Sequence, residues 1–491
     1  MRRSGILMHL TSLPSHGGIG SMGRTAYAFA DFLKASGFTI WQVLPVGPTG
    51  YGESPYQSSS VFAGNPLLIS CRKLREDGLL SYDDSEEYQP TDPEKVDFDA
   101  VRANKDALLR RSFAQSGKYL EKELASFCQS HPWADDFALF TAIKQHFDGA
   151  MWTRWPDEAI RLRRPEALAR YREKLKEEIA YHIFVQYLFR RQWMELKSYC
   201  NRLGLSLFGD MPIYVAEDSA DTWTHPEVFQ LDRNRIPKRV AGVPPDVFSA
   251  DGQLWGNPLY RWHWLRFHGY GWWVERMRGM AELYDMVRVD HFIGFANYYS
   301  IPYGAPNAKT GKWIKGPGKA LFRKLNQALP EMKIIAEDLG IQSKRVRDLL
   351  AWCGYPGMKV LCFGFDGDPK VNPHYPAHYS PNYVAYTGTH DNDTTLSWAR
   401  KADPKTLQSA MDTLGFTRPE EAPEAMIHTL FRGECDTVII PMQDILGLDG
   451  NARMNLPGTI GENWMWRMKP GQLTRELSMK YFLLNKETNR G

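Results

Sequence analysis

Four acidic residues close short apolar runs in this chain. Asp210 ends "LSLFGD", Asp290 ends "MVRVD", Glu337 ends "KIIAE" and Asp391 ends "YVAYTGTHD". A charge placed beside apolar residues is costly unless it is paired or used. Arg288 precedes Asp290 by two positions, and on a strand two such residues share a face. A cation at that distance favours the ionised carboxylate, which equips Asp290 as a nucleophile. Glu337 lies one strand–helix unit later and can face Asp290 across a common site. In a less polar setting with negative neighbours its pKa rises and it can act as an acid. Two carboxyls in these roles are the equipment of glycoside chemistry: one attacks the anomeric carbon and the other protonates the leaving oxygen. The plainer alternative is a structural Arg288–Asp290 ion pair with Glu337 beside a helix N-terminus. Four strand-end acids with two neighbouring histidines weigh against it.

Those histidines, His291 and His390, each adjoin an acid. A metal site and hydrogen bonding to sugar hydroxyls both suit them, although no His-x-His, HExxH or third histidine at ligand spacing accompanies "THDND". The glycine-rich "SHGGIGSMG" (15–23) fits neither a Walker A motif nor a dinucleotide-binding turn, and reads as a flexible loop.

Strand ends converge only if the strands form one sheet. Eight apolar runs, 5–10, 40–45, 205–214, 285–292, 333–339, 358–363, 383–391 and 436–444, have strand length and polar ends. Helical patterns separate several of them. "TAYAFADFLKASGF" puts Ala26, Phe29, Ala30 and Leu33 on one face and places Gly37 as a stop. The alternation predicts an α/β fold, a (β/α)8 barrel, whose catalytic residues gather at the C-terminal ends of its strands. A doubly wound open sheet is the structural alternative. Residues 71–199 break the rhythm with a mainly helical stretch, read as an insertion, leaving 1–70 and 200–491 as the barrel. Pro165 suits a first helical turn, and Leu175, Ile179, Ile183 and Phe184 keep helical spacing. Segments 215–284 and 293–332, rich in Gly, Pro and Trp, are too long for ordinary connections and are expected as functional loops.

The bulk numbers exclude several classes. Sixty basic against 57 acidic residues give a net charge of +3, with no basic tract of the kind that tracks nucleic acid. The six cysteines are scattered without a CxxC pair, as in a reduced cytosolic protein. No run of about 18 apolar residues spans a membrane, and the N-terminus lacks a full signal sequence. A soluble, cytoplasmic protein is expected. Aromatics reach 13%, with 16 Trp and 23 Tyr, a surplus that sugar clefts use because flat rings stack on sugar faces.

Seven ordered blocks then carry a family likeness: "SPYQSSSVFAGNPLLI" (54–69), "GDMPIYVAEDSAD" (209–221), "GVPPDVFSADGQLWGNPLY" (242–260), "RVDHFIGF" (288–295), "IIAEDLG" (334–340), "YTGTHDNDTTLSW" (386–398) and "NLPGTIGENW" (455–464). The sequence resembles the 4-α-glucanotransferases, or amylomaltases, of glycoside hydrolase family 77, nearly end to end. The resemblance implies an α-amylase-superfamily barrel with inserted subdomains and no C-terminal β-sandwich, acting on maltooligosaccharides and α-1,4-glucans without metal or cofactor. It implies Asp290 as nucleophile, Glu337 as general acid/base and Asp391 as the third carboxylate. Ser54, Tyr56, Asp210, Arg288, His291, Asp366 and His390 are implied as sugar contacts, and Trp255 as part of a mobile loop on the acceptor side. A retaining mechanism places the two carboxyls about 5–5.5 Å apart. A hydrolase with the same machinery and a non-catalytic glucan-binding protein remain as rivals.

Overall fold

The computed structural model describes residues 2–81, 88–245, 249–340 and 343–491. Asp246, Val247 and Phe248 of the block at 242–260 lie outside them. In chain order the strands are β1 (Arg3–Leu7), β2 (Ile40–Gln42), β3 (Ser206–Met211), β4 (Arg239–Val243), β5 (Gln253–Pro258), β6 (Met286–Val289), β7 (Asn297–Pro302), β8 (Lys312–Lys315), β9 (Lys333–Ala336), β10 (Gly357–Val360), β11 (Tyr383–Tyr386) and β12 (Thr437–Pro441). Eight of them form one sheet in the order β10-β11-β12-β1-β2-β3-β6-β9, every pairing parallel. All eight fall within or overlap the runs expected from sequence. At the seam between β9 and β10, the Ala336 N–H donates to the Pro356 carbonyl at 2.8 Å and the Met358 N–H to the Asp338 carboxylate at 2.8 Å. These bonds close the sheet, and the fold is a (β/α)8 barrel rather than an open sheet.

The chain forms these strands because both faces are buried, one on the barrel interior and one under helices. Val438, Ile439 and Ile440 of β12 are fully buried. Gly5 is required where β1 meets β2, since a Cβ there would stand 2.5 Å from the Ile40 carbonyl. The helix Arg24–Ala35 buries the predicted Ala26, Phe29, Ala30 and Leu33. Gly37 ends it at φ +77°, with the Phe38 N–H returning to the Leu33 carbonyl at 3.0 Å, a left-handed stop that glycine adopts without strain.

The described residues between 71 and 199 are mainly helical. Pro165 opens the helix Pro165–Lys174, and the chain bends at Leu175 into the long helix Lys176–Arg202. Phe137, Phe140, Ile143, Trp152, Trp155 and Trp223 build a second core around this region, whereas Phe98, Val101 and Leu108 join the barrel core. Two buried glutamines on the long helix hold the chain that follows β2. Gln186 donates to the Gly64 carbonyl at 3.0 Å and accepts from its N–H at 2.8 Å. Gln192 does the same for Ser70, at 3.2 and 2.8 Å. Each side-chain amide stands in for a strand neighbour, satisfying backbone groups that burial would otherwise orphan.

The two long segments expected as loops are folded. Each supplies two strands, and together they form an antiparallel sheet in the order β5-β4-β7-β8. Their short runs, broken by Gly and Pro, give no period that a sequence reading can extend. Among the described residues no helix is long and apolar enough to cross a membrane.

Candidate active site

The acids meet at the C-terminal end of the barrel. In the β3–β6 ladder Asp210 is the register partner of Arg288, so their side chains share the barrel interior. Arg288 bonds Asp210 and reaches Asp290 at 2.8 Å. Burial alone would depress the guanidinium, but Asp210 and Asp290 reverse this and hold it well above its ordinary value. Asp290 lies one residue beyond β6, its backbone N–H held by the Met211 carbonyl at 3.0 Å. Its side chain keeps 28% of its surface exposed, while that of Asp210 keeps none. One carboxylate therefore anchors the arginine and the other presents itself to the cleft.

Glu337 follows β9 directly. Its Oε1 accepts the Leu339 N–H at 2.7 Å and its Oε2 the His291 N–H at 2.7 Å, which fixes the carboxyl plane and leaves a free lone pair on each oxygen. Burial, then the charge on Asp290, pushes this carboxyl up to about 8, against Arg288 and the two N–H donors. Asp290 and Glu337 thus occupy contrasting environments.

His291 sits between them with φ +51°, a left-handed conformation costly for a residue with a Cβ. That twist aims its N–H at Glu337. Burial pushes the imidazole down to about 4 and makes it neutral at pH 7, and its Nε2 is buried with no partner among the described residues. His291→Gly keeps the N–H and relieves the φ strain. It is expected to be more stable than His291→Ala by about 1 kcal/mol. Equal melting temperatures for the two variants would contradict the strain.

Asp391 and His390 lie in the turn after β11. Asp391 is held by Asn455 Nδ2 at 2.7 Å on its carboxylate, Arg453 Nη2 at 2.6 Å on its carbonyl, and His390 Nε2 at 3.4 Å, and its own N–H donates to the Thr389 hydroxyl at 3.3 Å. His390 stacks on Tyr56 at 5.1 Å with 13° between the rings, and Tyr56 donates its hydroxyl to Asp210 at 2.8 Å. Trp464 leans on both rings at 5.9 Å. Trp255 meets His291 edge to face at 4.9 Å. It lies in β5, which pairs with β4.

Ten of the eleven predicted site residues are thereby connected, Ser54 through its hydroxyl, which accepts the Tyr56 N–H at 3.3 Å. Asp366 stands apart. It is exposed in the turn after β10 and, among the described residues, makes no hydrogen bond or ion pair with the others. Sequence reasoning missed Asn455, Arg453 and Trp464, although "NLPGTIGENW" held two of them. It also missed His9, a buried imidazole just past β1 that lines a pocket with His390 and Asp393. Among the described residues no group of three or more His, Cys, Asp or Glu is placed to hold a metal ion.

The chain is similar along its length to members of one family. The family profile described as 4-alpha-glucanotransferase matches residues 8–474. The 4-alpha-glucanotransferase of Synechocystis sp. is 45% identical over 97% of this chain and 96% of its own length. That of Thermus thermophilus is 44% identical over 100% and 99%. The structure of an amylomaltase from Streptococcus agalactiae in complex with acarbose superposes with a TM-score of 0.98 at 41% identity, covering all of both chains. With full-length relatives at this identity, the chain belongs to glycoside hydrolase family 77, the 4-alpha-glucanotransferases.

Proposed function

We propose that this protein transfers a segment of an α-1,4-glucan to the 4-hydroxyl of another glucan or of glucose, with retention, through Asp290, Glu337 and Asp391. The observation that carries the assignment of roles is the contrast between the two central carboxyls. Asp290 is ion-paired and partly exposed, and Glu337 is buried and pushed toward the neutral acid. Asp290 attacks C1 of the donor glucose while the Glu337 proton passes to the departing O4. A β-linked glycosyl-enzyme results. Glu337, now ionised, takes the proton from the 4-hydroxyl of the acceptor, whose oxygen displaces Asp290, and the second inversion restores the α-linkage.

Asp391, fixed by Asn455, is assigned to the donor ring's hydroxyls, with His390 and the unpartnered His291 Nε2 beside it. Tyr56, Ser54, Asp210, Arg288 and Asp366 complete the proposed sugar-binding set, and Trp255 the acceptor side. We further assign 71–199 as an inserted helical subdomain and 1–70 with 200–491 as the catalytic barrel. The six cysteines, all free, support a reducing, cytoplasmic setting.

Hydrolysis by the same carboxyls differs only in the second acceptor. Incubation with maltotriose separates the two: a ladder of longer maltooligosaccharides is the expected product. Equal maltose and glucose with no ladder would make the protein a hydrolase.

A further inference from the structure

Ten Lys or Arg residues fall between 309 and 347, in a chain whose charges otherwise nearly balance. Several lie on β8 and on the helices Lys319–Ala328 and Lys344–Cys353. On β8, Trp313 and Lys315 alternate to the same side of the small sheet, and Trp313 is 49% exposed. Lys315 is the register partner of Asn297, whose side chain accepts from Arg345 at 2.9 Å. This ties the end of β8 to the helix Lys344–Cys353. The last turn of that helix carries Trp352, 38% exposed. Lys319 and Arg323, from the neighbouring helix Lys319–Ala328, stand 5.6 and 5.9 Å from its ring centroid. Neither cation has a carboxylate partner within ion-pair distance among the described residues. Two exposed tryptophans, one of them flanked by Lys319 and Arg323 with only the more distant charge of Asp348 acting on Lys319, suit a ligand that is both sugar and anion, since rings stack on sugar faces and the cations pair with phosphate. The sheet connects this face to the cleft, because β5, at its other edge, carries Trp255.

We propose that the face formed by Trp313, Lys315, Lys319, Arg323 and Trp352 binds α-glucan chains bearing phosphate monoesters, holding such a polymer beside the active site. This rests on the α-glucan reading of the cleft.

The test uses full-length protein with Asp290→Ala, so that polymer is not remodelled, in gels containing phosphorylated amylopectin or the same amylopectin after phosphatase treatment. Binding to the phosphorylated polymer is expected to be about fivefold tighter or more, to weaken with salt, and to lose that preference in Lys319→Ala/Arg323→Ala. In the Asp290 background Trp313→Ala should weaken binding to both polymers. With Asp290 intact, the double variant should still build the maltotriose ladder at the unaltered rate. Equal affinity for the two polymers, or a preference that survives the double variant, overturns the proposal. So does tighter binding of a short DNA duplex through the same residues. A missing ladder in the unsubstituted enzyme would instead refute the function proposed for the cleft.

Discussion

Asp290→Ala is expected to abolish maltotriose turnover, by roughly 10⁴-fold or more on the scale at which covalent nucleophiles register, while the folded protein still binds maltooligosaccharides. The folding half of this expectation comes from the division of labour around Arg288. Asp210 is wholly buried against the guanidinium, whereas Asp290 is partly exposed. Removing Asp290 leaves Arg288 paired, and water can reach the Nη2 that loses its partner. Removing Asp210 instead leaves Asp290 to neutralise the cation but empties the wholly buried side of the pair, where water does not replace the lost partner, a change that approaches the cost of about 3–5 kcal/mol for a broken buried pair, and it also unseats the Tyr56 hydroxyl. Asp290→Ala should therefore melt near the unsubstituted protein and Asp210→Ala well below it. Retained turnover in Asp290→Ala would remove it from the nucleophile's role, and a melting temperature as low as that of Asp210→Ala would show that it anchors the barrel.

How much of this was legible in the chain depends on how local each signal is. The barrel strands announce themselves because a strand buried on both faces is a continuous apolar run, and a polar residue at its end stands out against it. Arg288, Asp290 and Glu337 are visible for that reason, and their two-residue spacing already places Arg288 and Asp290 on one face. The pairing of Arg288 with Asp210 is not visible, because it depends on the register between β3 and β6 across 78 residues of chain. Asn455 is hidden for the same reason: its bond to Asp391 spans 64 residues, and an asparagine in a Gly- and Pro-rich stretch reads as turn chemistry. The antiparallel sheet was read as loops because strands such as β8, four residues long with three exposed, carry no apolar pattern. The positive φ of His291 has no sequence signature, since glycine is the usual occupant of such a conformation.

The hydrogen bonds that fix the Glu337 carboxyl also decide how its substitution should behave. Glu337→Ala is expected to lower kcat on maltotriose by about 10²–10⁴-fold, the range of a general acid/base. A donor whose leaving group needs no proton separates the two half-reactions. With α-glucosyl fluoride, attack by Asp290 should survive and the glycosyl-enzyme should accumulate, because no base remains to activate the acceptor's 4-hydroxyl. Glutamine is the poorer probe: both Glu337 oxygens accept backbone N–H groups, so an amide nitrogen at either position faces a donor. The pH dependence has a definite sign. A carboxyl pushed up to about 8 is the competent acid below that pH, so kcat/KM should fall as pH rises through about 8, and Glu337→Ala should lose this basic limb. Stability follows the same group. Between the ordinary glutamate value of 4.5 and about 8 the folded protein holds a proton that the unfolded chain releases. Raising the pH through this window should destabilise the protein relative to Glu337→Ala, with no further divergence above it. A basic limb that survives Glu337→Ala would assign the proton to another group, and an intermediate that fails to accumulate from the fluoride would place the acceptor's base elsewhere.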